Sequence, residues 1–96
     1  LSKHVLLDEA RRADLAAALP DWRVVADGLE RTFEFRNFNE AFGFMTRVAL
    51  AAERHDHHPE WRNVWRTVHV RWSTHDAGGL TELDVAMARR CDQLAA

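Results

Sequence analysis

Five of the six histidines, His55, His57, His58, His69 and His75, lie between positions 55 and 75. Imidazole titrates near neutral pH, so a run of histidines makes proton transfer the first chemistry to weigh. The densest part is Glu53-Arg54-His55-Asp56-His57-His58-Pro59-Glu60-Trp61. Proline disfavours helical geometry at the residue before it, which pushes His58 toward extended backbone and ends any helix nearby. His57 and His58 therefore point differently, and two differently aimed imidazoles at an element boundary suit acid/base work on one substrate. His75, in Ser73-Thr74-His75-Asp76, lies where a strand gives way to the loop Ala77-Gly78-Gly79. Strand ends are places from which a rigid scaffold presents functional side chains. His69 lies mid-strand and reads as structural, and His4 reads as solvent-exposed.

Other chemistries compete for these residues. Five histidines and several carboxylates could hold zinc, but there is no HExxH motif and only Cys91 offers sulfur, so no metal is expected. Asp84 stands three residues after Thr81, where a carboxylate either caps a helix or belongs to a site; its position alone allows both.

The elements that must position these groups follow from periodicity. A helix from about Asp8 to Leu19, with Leu15 and Leu19 one turn apart, is stopped by Pro20. Trp22 to Ala26 and Leu29 to Arg36 alternate as strands, with Trp22, Val24 and Ala26 on one face of the first and Phe33 and Phe35 sharing a face of the second. The intervening Asp27-Gly28 suits a two-residue hairpin turn in which glycine takes positive φ. Asn37 and Glu40 resemble a capping box opening a helix to about Arg54. Its apolar residues cover too much of the cylinder for one sheet. Phe38, Phe42, Met45, Ala49 and Ala52 form the stripe expected to pack inward, leaving Phe44, Val48, Ala51 and Leu50 for a second contact, another subunit. Gly43, which costs about 1 kcal/mol inside a helix, points to close backbone approach there. Trp61 to Trp65 and Val68 to Thr74 form a second hairpin turning at Arg66-Thr67, with Val68, Val70 and Trp72 facing one way and His69, Arg71 and Ser73 the other. Thr81 caps a last helix to about Ala95 that buries Leu83, Met87, Cys91 and Leu94. The order α-ββ-α-ββ-α predicts an α+β fold: one four-stranded antiparallel sheet covered on one face by helices.

At 96 residues the chain is sized for a single domain, residues 1–96, and any active site must be compact. Thirteen Lys and Arg against 15 Asp and Glu give a net charge of −2, which supplies neither a basic field for nucleic acid nor a patch for anionic lipid. No direct nucleic-acid binding and no membrane association are expected. No apolar run approaches the ~18 residues of a membrane span, and Leu1 to Asp8 lack a signal-peptide pattern. One cysteine makes no internal disulfide, so a reducing compartment, the cytoplasm, is expected.

Together, Asn39-Glu40-Ala41-Phe42-Gly43-Phe44-Met45, Asp56-His57-His58-Pro59-Glu60-Trp61, Asn63-Val64, Ser73-Thr74-His75, Gly79-Leu80-Thr81 and Asp84 resemble the pterin-4a-carbinolamine dehydratase family, from about Trp22 to Leu94. The resemblance implies a fold of the order above, assembly as a homodimer or homotetramer through helix 38–54 and a sheet edge, and a small-molecule pterin substrate. The activity implied is dehydration of 4a-hydroxytetrahydropterin to quinonoid dihydropterin, in tetrahydrobiopterin recycling, with neither metal nor cofactor. It makes His57, His58 and His75 the catalytic set, with His58 and His75 foremost in proton transfer. It puts Glu53, Asp56, Pro59, Ser73, Thr74, Asp76, Ala77 and Asp84 around the substrate. Animal relatives also act as dimerisation cofactors of a homeodomain transcription factor, so an oligomeric interaction module is the alternative. Departures from the family pattern are Trp65 for a common tyrosine, Arg54 for lysine, and Ala77 where animal relatives carry cysteine; the last touches a side-chain contact to the pterin.

Overall fold

Asp8 accepts the Arg11 backbone N–H at 2.8 Å and so caps α1, Glu9–Ala18, whose Leu15 is fully buried beside Leu19. The computed structural model describes residues 4–96. After α1 come β1 (Arg23–Val25), β2 (Gly28–Glu34), α2 (Phe38–His55), β3 (Glu60–Val64), β4 (Thr67–Trp72), a short 3-10 turn (His75–Ala77) and α3 (Glu82–Ala95). The strands form one antiparallel sheet in the order β1-β2-β4-β3, which is the expected α+β arrangement. No helix among the described residues is long and apolar enough to cross a membrane.

Period-two alternation sets the two faces of β4. Val68, Val70 and Trp72 are fully buried, whereas Thr67, His69 and Arg71 on the opposite face are only partly covered. Register carries this parity outward: Trp72 pairs with Leu29 and Val68 with Phe33 on β2, while Arg71 pairs with Glu30 on one side and Glu60 on the other. The core thus lies between one sheet face and the helices.

Both turns fall one residue earlier than expected. Val25 pairs with Gly28 and Val64 with Thr67, so Ala26-Asp27 and Trp65-Arg66 are the turn residues. Gly28 does not take positive φ; Trp65 does, at 52°. Gly28 instead clears space, since a Cβ there would come within 2.5 Å of Arg71 Nη1.

Asn37 caps α2 by accepting the Glu40 N–H at 2.9 Å, but the Glu40 carboxylate turns back to the Arg36 N–H rather than to Asn37. The helix also seats differently from expectation. Ala41, Phe44, Val48 and Ala52 are the buried face, while Phe38, Phe42 and Ala49 of the stripe predicted to pack inward are exposed. Phe44 stacks within 4.7 Å of Phe33 and 4.9 Å of Phe35, so it and Val48 belong to the core and not to surplus surface. A wide apolar surface fixes the amount of burial without fixing its centre. The face with alanine at both ends lets the backbone approach the sheet, which a row of phenylalanines would not. The surplus is Phe38, Phe42 and Leu50, each at least half exposed. Within the chain a Cβ at Gly43 would meet only the Arg47 guanidinium, at 3.2 Å, so no other segment of this chain packs closely there.

Truncating Phe44 to alanine removes the ring that joins α2 to β2. Urea denaturation of Phe44→Ala should show a loss of about 3–5 kcal/mol, the range for deleting a buried aromatic ring.

Candidate active site

The site begins where α2 ends. Asp56 adopts left-handed geometry, φ 50° and ψ 45°, and its N–H returns to the carbonyls of Ala52 and Glu53. Aspartate tolerates that conformation better than most residues, and it closes the helix as glycine commonly does. The His57 N–H also reaches Ala52 O, at 3.0 Å. The reversal turns His57 inward and leaves His58 outside, as Pro59 implied.

His57 Nε2 lies 2.6 Å from Asp84 Oδ1, and both residues are buried. Asp84 Oδ2 accepts the Thr74 hydroxyl at 2.7 Å and the Thr81 backbone N–H at 2.9 Å. A hydroxyl carries one proton, so Thr74, having donated to Asp84, must accept from the Thr81 hydroxyl 2.8 Å away. A carboxylate with such partners fixes the histidine tautomer: Nε2 carries the proton toward Asp84 and Nδ1 faces away from it. The His57 ring also stacks on Trp72, with centroids 5.5 Å apart and planes at 19°.

The other two histidines of the set are exposed and each faces a carboxylate. His58 Nε2 is 2.9 Å from Glu53 Oε1, one helical turn back on α2. His75 Nε2 is 3.4 Å from Glu60 Oε1 on β3. Thr74, next to His75, is held by its N–H to Gly79 O at 2.9 Å, so the strand exit that carries His75 is tied to the loop after it. His58 adjoins His57 in the chain and His75 adjoins Thr74, so each exposed imidazole is one residue from a member of the bonded network.

Around these, Asp56 and Asp76 are exposed, while Pro59, Ser73 and Ala77 are partly buried. Asp84 has no solvent exposure, and both its oxygens are engaged, one by His57 and the other by Thr74 and Thr81. The capping reading of Asp84 holds, since it accepts the Thr81 N–H and completes the capping box that opens α3. His69 bonds Thr32 Oγ1 at 2.9 Å from the opposite sheet face, a structural role. His4 is partly buried rather than exposed. His55 is exposed at the end of α2, where it lines a groove of about 640 Å³ with Arg54 and Arg90, separate from the three histidines of the set. Among the described residues no three His, Cys, Asp or Glu side chains gather as a metal ion would need. Burial pushes the Cys91 thiol up to about 12.

Three participants escaped the sequence reading. Trp72 was legible only as core, Thr81 only as a cap, and Glu60 stood beside Pro59 with no sign that a histidine from another strand would meet it.

The helix-covered antiparallel sheet thus carries one anchored histidine and two exposed ones, groups that can exchange protons near neutral pH. Residues 5–94 match the family model described as pterin 4 alpha carbinolamine dehydratase, and the chain belongs to that family. It is 62% identical over 94 residues to a protein of Afipia carboxidovorans named "Putative pterin-4-alpha-carbinolamine dehydratase", covering 96% of this chain and 93% of that one. A protein of the same name from Bradyrhizobium diazoefficiens is 56% identical, over 94% and 91% of the two chains. The crystal structure of a transcriptional coactivator/pterin dehydratase from Brucella melitensis superposes with a TM-score of 0.90 at 42% identity, covering 95% of this chain and 99% of that one. A pterin dehydratase-like protein identified as a RuBisCO assembly factor in the alpha-carboxysome shares the fold, with a TM-score of 0.65 at 22% identity over 78% and 87% of the chains.

Replacing Asp84 by alanine strands the His57 N–H, the Thr74 hydroxyl and the Thr81 N–H in a buried space. Chemical denaturation of Asp84→Ala should show a loss of about 3–5 kcal/mol, as for breaking a buried pair from one side. Asp84→Asn, which keeps volume and one acceptor, should lose less.

Proposed function

We propose that this chain is a 4a-hydroxytetrahydropterin dehydratase that yields quinonoid dihydropterin and water, in tetrahydrobiopterin recycling. The C4a–O bond breaks as an acid protonates the departing hydroxyl, and the N5 proton goes to a base as the N5 lone pair forms the C4a=N5 bond. The oxidation state does not change, so two positioned proton-transfer groups suffice. The observation that carries the reading is the anchored His57, with the neighbouring His58 and the His75 beyond β4 exposed and each facing a carboxylate. On this reading His58 and His75 exchange protons with the substrate. His57, locked by Asp84 and Trp72, presents Nδ1 to bind and orient the pterin. Glu53, Asp56, Ser73 and Asp76 supply polar groups at the rim, and Pro59, Thr74 and Ala77 shape it. Membership of the family and the names of the close relatives support the same activity. The single cysteine supports the cytoplasm as the working compartment.

A fluorescence or absorbance assay of 4a-hydroxypterin decay tests the assignment. His58→Ala and His75→Ala should each lower turnover by roughly 10²–10⁴ while remaining folded. The double variant should cost far less than the product of the singles, because acid and base act as a unit. His57→Ala should also raise KM. Full activity in both single variants would overturn the reading. Activity should persist after exhaustive chelation; loss that returns with stoichiometric zinc would transfer the chemistry to a metal.

The outward face of α2 favours a further property, assembly. Phe38, Phe42 and Leu50 are exposed by 50%, 56% and 69%, with the two phenylalanine rings 5.8 Å apart. A contiguous exposed apolar patch marks an interaction surface. We place a homodimer or homotetramer contact there; the alternative, a dimerisation cofactor of a transcription factor, would use the same face. Light scattering at micromolar concentration should give a mass that is a multiple of 11.1 kDa, and Phe42→Asp should shift it toward the monomer. A monomer at all concentrations would overturn the assignment.

A further inference from the structure

Arg71, on the β4 face opposite the core, gathers three carboxylates from three segments. Its Nη2 donates to Asp27 Oδ1 at 2.6 Å, in the β1–β2 turn. Its Nη1 donates to Glu30 Oε2 at 2.9 Å on β2, and its Nε to Glu60 Oε2 at 3.0 Å on β3. The guanidinium is a planar fork, and here each of its three nitrogens donates to a different carboxylate. Space is made for it by Gly28, whose missing Cβ would fall 2.5 Å from Nη1 and 2.8 Å from Cζ. The Asp27 carboxylate raises the Arg71 guanidinium above its ordinary range, and Arg71 in turn lowers the Asp27 carboxyl below its own.

Glu60 is divided between two side chains: Oε2 is held by Arg71, while Oε1 stands 3.4 Å from His75 Nε2. We propose that Arg71 and Glu60 are positioning residues for His75, with Arg71 orienting Glu60 and setting how much of its negative charge the imidazole meets. The proposal rests on the reading that His75 exchanges a proton with the substrate, and it assigns that histidine its own carboxylate, as Asp84 serves His57. The charged groups about His75 are Glu60 on β3, Asp27 in the first turn, Arg71 on β4 with Glu30 behind it, and Asp76 beside it in the chain.

Opposite charges in the relay give the test a sign. Removing Glu60 takes away negative charge that favours imidazolium, whereas removing Arg71 leaves Asp27 and Glu60 without their arginine, Glu30 keeping Arg23. An NMR titration of the His75 ring proton, referred to the unsubstituted protein, should move to lower pH in Glu60→Gln and to higher pH in Arg71→Gln. Both shifts should shrink at high salt. Gly28→Ala, which needs no unusual backbone and displaces only the guanidinium, should shift the same way as Arg71→Gln. Arg71→Lys should restore part of the parental behaviour. The acid limb of the turnover profile should follow the same directions with KM little changed. An unmoved His75 titration, or shifts of one sign in both Glu60→Gln and Arg71→Gln, would overturn the proposal. If the titration shifts as stated but His75→Ala keeps full dehydratase activity, the relay stands and the proton-transfer reading fails.

Discussion

The Asp84 carboxylate is the constraint on which the rest of the site depends. It has no solvent exposure, and a buried carboxylate is tolerated only where donors replace its water. The donors come from three places: His57 beyond the end of α2, Thr74 beyond the end of β4, and the backbone of Thr81 at the start of α3. Satisfying one charge therefore brings together three chain segments distant in sequence. Misplacing any of them would leave an unmet polar group in the interior. The same requirement holds the His57 ring against Trp72, so its orientation follows from fold stability rather than from contact with a ligand.

β4 divides two kinds of chemistry by the pleat alone. Val68, Val70 and Trp72 turn inward, where Trp72 supplies both core volume and the surface on which His57 stacks. His69 and Arg71 turn to the other face, where cross-strand neighbours neutralise charge; Arg71 sits directly between Glu30 and Glu60 in the register. β4 is central and paired on both sides as far as Arg71, and beyond the strand Thr74 is held by its bridge to Gly79. That rigidity carries His75, an otherwise exposed side chain, at a defined place beside β3.

Much of this was legible because periodicity and caps are local. Asp8, Asn37 and Thr81 mark the starts of the helices, Pro20 follows the end of α1, and the alternation of Val68, Val70 and Trp72 sets the burial of β4. What was illegible depends on pairing between distant segments. Gly28 looked like a turn glycine and proved to be clearance for an arginine on another strand. The seating of α2 depended on which face lets the backbone approach β2, and so Phe44 and Phe42 exchanged their expected places. The histidine set was visible as a cluster, but Glu60 as the neighbour of His75 follows only from the β3–β4 register, which no local pattern encodes.

Consecutive residues with contrasting surroundings divide the proposed labour. In the proposed dehydration one proton would enter the hydroxyl and another would leave N5, so the substrate's proton count balances while the two protein groups would end each turnover with their protonation states exchanged. They must be reset before the next cycle, which requires water. His58 and His75 have that access, at 57% and 76% side-chain exposure, and a carboxylate beside each. His57, with 10% of its side chain exposed and one nitrogen committed to Asp84, has little. An imidazole so enclosed is suited to holding a substrate in place, and the left-handed Asp56 is what allows two adjacent histidines to differ in this way.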